Sequence, residues 1–287
     1  MLKAMARLPL GVLYRFADVT YVLLYYVVRY RRGLVRKNLT SSFPEKTLAE
    51  IKRIERQFYL NFADYIFETI KLLHISDEEM LKRMTFSGVD IINKLLDEKR
   101  SIVAYFSHTG NWEWAPSVTL HCPRAVERGD RFCQIYRPLK NKHFDNLMLK
   151  IRSRFGSVSI AKKLTLRQLL SYRRDSLTSI TGFMSDQKPS HGDPVYFVKF
   201  LGHDTAVITG TETLARRLDM AVIYWDMSKS SRGHYNIDVK LISDHVADME
   251  EMSITNTYFN LLEQTIRRDP AIWLWSHNRW KKPPNIV

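Results

Sequence analysis

The chain has 287 residues, 44 Lys plus Arg against 30 Asp plus Glu for a net charge of +14, and 45% apolar residues. That length suits one large domain with an appended segment, and the balance excludes both a polytopic membrane protein and a disordered chain. With 11 Gly, 10 Pro and no biased tract, fibrous and low-complexity chains are excluded as well.

A surface this basic must meet something acidic, and nucleic acid, anionic lipid and an acidic carrier protein all qualify. The two cysteines, Cys122 and Cys133, form no C-x-x-C pair, which suits a reducing compartment. No metal-binding motif is present, because H-E-x-x-H is missing and the nine His are scattered.

Taken in chain order, the first element is apolar from Leu8 to Tyr30, with an unbroken run from Val19 to Val28. A bilayer core needs about 20 apolar residues, so this segment is borderline between spanning and lying at the interface. A small-residue cleavage site is lacking after it, so it is not read as a secretory signal. The next cluster, Arg29, Arg31, Arg32, Arg36 and Lys37, would be drawn to anionic headgroups on the cytoplasmic leaflet. Residues 1–30 are therefore expected to form a membrane-associated helix, with residues 31–287 on the cytoplasmic side.

Residues 44–73 predict a long helix started by Pro44 and Glu45, with Ile51, Ile54, Phe58, Phe62, Ile66 and Ile70 at helical spacing. A second amphipathic stretch runs through Ile91, Ile92, Leu95 and Leu96. Beyond it lie short strand-like runs at 102–106, 132–136, 177–184, 195–200, 221–225 and 237–242. Helical stretches at 142–154, 164–173, 209–218 and 249–268 separate most of them. The expected fold class is α/β, a largely parallel mixed sheet covered by helices on both faces, with catalytic groups beyond the strand carboxyl ends.

The first strand-like run leads into Ser107-His108-Thr109-Gly110-Asn111-Trp112-Glu113 and then a helical pattern through Leu120. On a continuous helix, positions five apart lie about 140° apart, so His108 and Glu113 meet only if the turn bends, as Gly110 and Asn111 allow. Spacing alone decides little. Chance predicts about one His-x4-acid pair in such a chain, and there are three: His74/Glu79, His108/Glu113 and His245/Glu250. The first and last fall in polar connections, so context selects His108 and Glu113.

A carboxylate-held imidazole can take a proton from an acceptor hydroxyl, which makes the pair a general-base dyad. No G-x-S-x-G elbow or supported Cys supplies a nucleophile, so direct transfer from an activated donor such as a thioester is favoured over a covalent intermediate. The resulting oxyanion needs positive charge or N–H donors. Arg137 in Tyr136-Arg137-Pro138 is one candidate; Asp186 and Gln187, at the end of another strand-like run, are further site candidates, as is Asn111. In the terminal Trp273-Leu274-Trp275-Ser276-His277-Asn278-Arg279-Trp280-Lys281-Lys282 the Trp residues suit a core, while Arg279, Lys281 and Lys282 are candidates for lipid-phosphate or carrier contact.

These features, in this order, resemble the late acyltransferases of lipid A biosynthesis, within the wider lysophospholipid acyltransferase group. The likeness is carried by the apolar N-terminal helix with its basic flank, Val35 to Asn38, Phe43-Pro44, and the Ser107 to Glu113 block. Tyr136-Arg137-Pro138, Asp186-Gln187, Val195 to Gly202 and Trp273 to Lys281 complete it. The resemblance implies a glycerolipid-acyltransferase-like α/β domain at the cytoplasmic face of the inner membrane. It implies that His108 deprotonates a hydroxyl of an acylated glucosamine phospholipid while Glu113 orients and charges it, with Arg137 and Asp186 in supporting roles. It further implies a fatty acyl thioester as co-substrate, usually on acyl carrier protein with coenzyme A as the alternative, and no cofactor or metal. The segment Lys188 to Pro194 departs from relatives, leaving acceptor position and acyl length open. Two other readings stay open: an acyltransferase for another lysolipid or glycolipid, and a non-enzymatic basic adaptor for membrane or nucleic acid, which rests on charge alone.

Overall fold

The structure is a computed structural model that describes residues 2–190 and 193–281. Four helices open the chain: α1 (Leu2–Arg7), α2 (Leu10–Val22) with its π-helical continuation Leu23–Val27, α3 (Arg32–Ser42) and α4 (Leu48–Lys71). The helix predicted over 44–73 thus begins later than Pro44. Its start is set by a capping box in which the Thr47 side chain accepts from the Glu50 N–H and Glu50 accepts from the Thr47 N–H. Positions 51, 54 and 58 bury their apolar face as the spacing predicts.

Next come α5 (Asp77–Arg83), β1 (Met84–Ser87), α6 (Val89–Asp97), β2 (Ile102–Phe106), a 3-10 helix Trp112–His121, α7 (Pro123–Glu127) and β3 (Arg131–Tyr136). They are followed by α8 (Lys142–Arg152), β4 (Val158–Ala161), α9 (Thr165–Arg174), β5 (Ser179–Met184), β6 (Val195–Phe200) and β7 (His203–Ile208). The chain closes with α10 (Gly210–Leu218), β8 (Ala221–Ser231), β9 (His234–Ser243) and α11 (Ser253–Arg268).

Seven strands form one sheet in the order β1-β9-β8-β2-β5-β3-β4, parallel at every pairing except β8 with β9. Hydrophobic clusters lie on both faces, so the central strand β2 is buried at all five positions and reads as an unbroken apolar run. The expected α/β architecture is therefore observed. Three strands, β1, β4 and β7, escape the sequence pattern because all are short or carry polar residues. The run 195–200 is a strand but lies outside the main sheet, paired antiparallel with β7 in a separate hairpin.

Candidate active site

Parallel neighbours end at the same sheet edge, and β2 lies between β5 and β8. In the β2–β5 pairing Phe106 stands opposite Met184, so the same register carried two residues further sets His108 opposite Asp186. There His108 Nδ1 hydrogen-bonds Asp186 Oδ1 at 2.7 Å, and the His108 backbone N–H donates to Asp186 Oδ2 at 3.0 Å. Trp273 Nε1 donates to Oδ2 as well, at 2.9 Å. Burial pushes the Asp186 carboxyl up, but the facing imidazole and the three donors outweigh it and hold the group down at about 2. A carboxylate so held keeps the ring proton on Nδ1 and leaves Nε2 with a free lone pair. Gln187 Nε2 lies 3.2 Å from that lone pair, where a substrate hydroxyl would have to sit.

The spacing pairs Glu113 with His108, but the structure assigns that contact to Asp186 instead. Both carboxylate oxygens of the buried Glu113 accept from the partly buried Arg152 of α8, at 2.8 and 2.7 Å, in a bidentate pair. The reason is angular. The 3-10 helix starts at Trp112, so the bend at Gly110 is followed at once by helical geometry that carries Glu113 toward α8. Along the chain Asp186 reads only as a supporting residue, because the sheet order that makes it the partner is nonlocal.

The turn itself is tightly held. Gly110 has φ +55°, and a Cβ there would meet Met227 Sδ at 2.6 Å and the Tyr235 ring at 3.1 Å. The Asn111 side chain is fully buried and donates to Glu68 Oε2 at 2.8 Å. Glu68 also accepts from Tyr235 Oη at 2.9 Å and, on Oε1, from Tyr14 Oη at 3.0 Å. Burial pushes the Glu68 carboxyl up from its ordinary range. Asn111 therefore positions the turn from beneath.

The terminal segment contributes differently from expectation. Gly110 N–H donates to Ile272 O and Leu274 N–H to His108 O, so residues 272–274 clamp the turn like a short extra strand. Asn38 Nδ2 donates to the carbonyls of Trp275 and His277, tying α3 to the same segment. Trp273 and Trp275 are core residues, as the pattern predicts. Arg279 is buried, and its three guanidinium nitrogens have no hydrogen-bond partner among the described residues. Burial lowers it to about 10, with Asp186 pulling the other way. Lys281 is exposed, and Lys282 lies outside the described residues. Arg137 is exposed just past β3, at the same sheet edge as the dyad. The bystander pairs behave as expected, with His74 and His245 both exposed.

Both thiols are buried away from the His108 site. Burial pushes Cys122 up to about 12 and Cys133 up to about 11. Among the described residues there is no cluster of three or more metal-binding side chains.

His108 and Asp186 thus form a carboxylate-held imidazole at the carboxyl ends of parallel strands. The family profile of bacterial lipid A biosynthesis acyltransferases matches residues 1–282. The chain belongs to that family. It is similar to the lipid A biosynthesis palmitoleoyltransferase of Escherichia coli (strain K12), at 21% identity over 96% of this chain and 90% of that protein. The lipid A biosynthesis acyltransferase of Haemophilus influenzae is 22% identical over 89% and 79% respectively. The protein is thus an acyltransferase of lipid A biosynthesis, which sets aside the non-enzymatic adaptor.

Proposed function

We propose that the protein moves a fatty acyl group from a thioester, carried by acyl carrier protein, to a hydroxyl of a lipid A precursor at the cytoplasmic face of the inner membrane. His108 is the general base and Asp186 the carboxylate that orients and charges it. The observation that carries this reading is the Nδ1 hydrogen bond to Asp186, which leaves Nε2 free to take a proton once the acceptor displaces Gln187.

The acceptor hydroxyl gives its proton to Nε2 as its oxygen bonds to the thioester carbonyl carbon. The tetrahedral oxyanion collapses with cleavage of the C–S bond, and the imidazolium returns the proton to the departing thiolate. Asp186 stabilises the imidazolium between the two transfers. Gln187, once displaced, offers an N–H donor to the oxyanion, and Arg137 supplies charge for an anionic part of donor or acceptor. Glu113 acts as a positioning residue: its pair with Arg152 fixes where the 3-10 helix leaves the turn. The exposed Arg and Lys residues suit both an acidic carrier protein and a phosphorylated lipid.

The test combines two measurements. Transfer of labelled acyl groups from acyl carrier protein to a lipid A precursor should vanish in His108→Ala with the fold intact. Lipid from a deletion strain should lack one acyl chain on lipid A. Full activity in His108→Ala, or an unchanged lipid A with another lipid missing a chain, refutes the proposal.

A further inference from the structure

The segment Leu10–Val27 is long and apolar enough to cross a membrane. Its packing decides how it meets one. α2 runs antiparallel along α4 for its whole length: Lys71 Nζ donates to Leu8 O at 2.9 Å, Tyr14 Oη donates to Glu68 at 3.0 Å, and the Tyr25 and Tyr59 rings lie 5.4 Å apart. Midway, Arg232 pairs with Asp18 of α2 at 2.7 Å and with Asp64 of α4 at 2.6 Å. Leu10, Leu13, Ala17 and Tyr25 are buried in that seam.

Standing upright in a bilayer would carry α4 in with it. Asp18, Arg232, Asp64 and Glu68 would then sit at hydrocarbon depth together with the domain packed on α4, or the whole seam would have to unzip.

The opposite face of the same helix is apolar and, among the described residues, largely uncovered, with only the Phe16 ring leaning on Phe67 at 6.2 Å. Val12, Phe16, Val19, Val22, Tyr26 and Val27 succeed one another at helical spacing and are exposed, Val19 at 59% and Val27 at 67%. Basic residues frame this stripe. Arg15 is exposed beside it, and Arg29 and Arg31, in left-handed backbone at φ 53° and 50°, form the reversal at its end with Lys37 beyond. An apolar stripe edged with arginine complements an anionic lipid surface. From its end a row of rings runs inward: Tyr30 and Phe62 at 6.3 Å, Phe62 and Tyr65 at 6.4 Å, Tyr65 and Trp112 at 4.2 Å, Trp112 and His108 at 5.1 Å.

We infer that Leu10–Val27 lies flat in one leaflet as an in-plane docking helix. Its outer stripe sits among the acyl chains, Arg15 and Arg29 lie at the phosphates, Arg31 ties the reversal to the Ser276 carbonyl at 2.9 Å, and the aromatic row leads acceptor lipid sideways from that leaflet to His108. This deepens the lipid-acylating reading and rests on it for the direction of approach. Docking itself is measured without turnover.

The full chain carrying one added cysteine, Val12→Cys, Val19→Cys or Val27→Cys, is labelled with bimane and mixed with phosphatidylglycerol vesicles holding nitroxide lipids of graded depth. The native cysteines are buried. A flat helix gives the same shallow depth at all three sites, and Val19→Asp with Val27→Asp lowers vesicle binding about tenfold or more while leaving the circular dichroism unchanged. Val19 at mid-bilayer with positions 12 and 27 near opposite headgroups overturns the inference. So does an absence of quenching with sedimentation as a dimer that Val19→Asp dissociates, since a second copy then covers the stripe. Acyl transfer to detergent-solubilised acceptor is assayed separately, so equal shallow quenching without transfer would remove the reaction and leave the docking.

Discussion

Asp186→Asn preserves the shape of the side chain and removes its charge, and the surrounding donors fix how the new amide must sit. Oδ2 accepts two donors, the His108 backbone N–H and Trp273 Nε1, so the single oxygen of an asparagine must take that place. Its NH2 then faces His108 Nδ1, which accepts instead of donating. The ring proton moves to Nε2, the atom that has to receive the substrate proton. The base is lost through its tautomer, and the imidazolium loses the charge that stabilised it. Wrong-tautomer substitutions of this kind cost about 10⁴-fold in the serine-protease triad, and general-base loss alone about 10² to 10⁴. We expect kcat to fall roughly 10³- to 10⁴-fold with little change in KM. The fold should persist, because the asparagine oxygen keeps the hydrogen bonds from the His108 backbone N–H and Trp273 Nε1. The assay is the initial rate of labelled acyl transfer across pH, with circular dichroism on the same samples. Activity within tenfold of the parent protein, beside an inactive but folded Glu113→Gln, would refute the assignment and return the orienting role to Glu113.

Because the Glu113 carboxylate is buried against a partly buried Arg152, Arg152→Met should lower stability by about 3 kcal/mol, Glu113→Gln by less, and the double variant by less than the sum. Additive losses in urea unfolding would show that the pair is not coupled. His277 is lowered to about 4, chiefly by burial, and His121 and His203 are lowered for the same reason. The His277 ring is neutral in the folded chain and takes its proton first when unfolded, so its stabilisation is present above about pH 6.5 and is lost as pH falls toward 4, and His121 and His203 act in the same direction. The melting temperature should drop over that range and His277→Gln should flatten the drop; an unchanged slope would count against it. Asp186, depressed to about 2, adds its own loss only between about pH 4 and 2. Both cysteines are buried, so a thiol reagent at pH 8 should label neither in the folded protein and both in urea, and rapid native labelling would contradict the packing.

The local parts of the site were legible along the chain. An unbroken apolar run marks β2 because both faces of a parallel sheet are covered, and a glycine two residues past His108 marks the bend because only glycine accepts φ +55° against Met227 and Tyr235. The helix periodicity at 51, 54 and 58 was readable because it depends on neighbours a few residues away, and the burial of Trp273 and Trp275 was readable from their apolar bulk alone. What the tertiary structure alone decided is who meets whom. The identity of the strand beside β2, and its register, depend on contacts 78 residues apart, and those set Asp186 rather than Glu113 on the imidazole. The same holds for the clamp of residues 272–274 on the turn, the burial of Arg279, and the seam that lays the apolar helix along α4. Sequence spacing specifies which way a side chain points on its own element; which element lies opposite is settled only when the whole core packs.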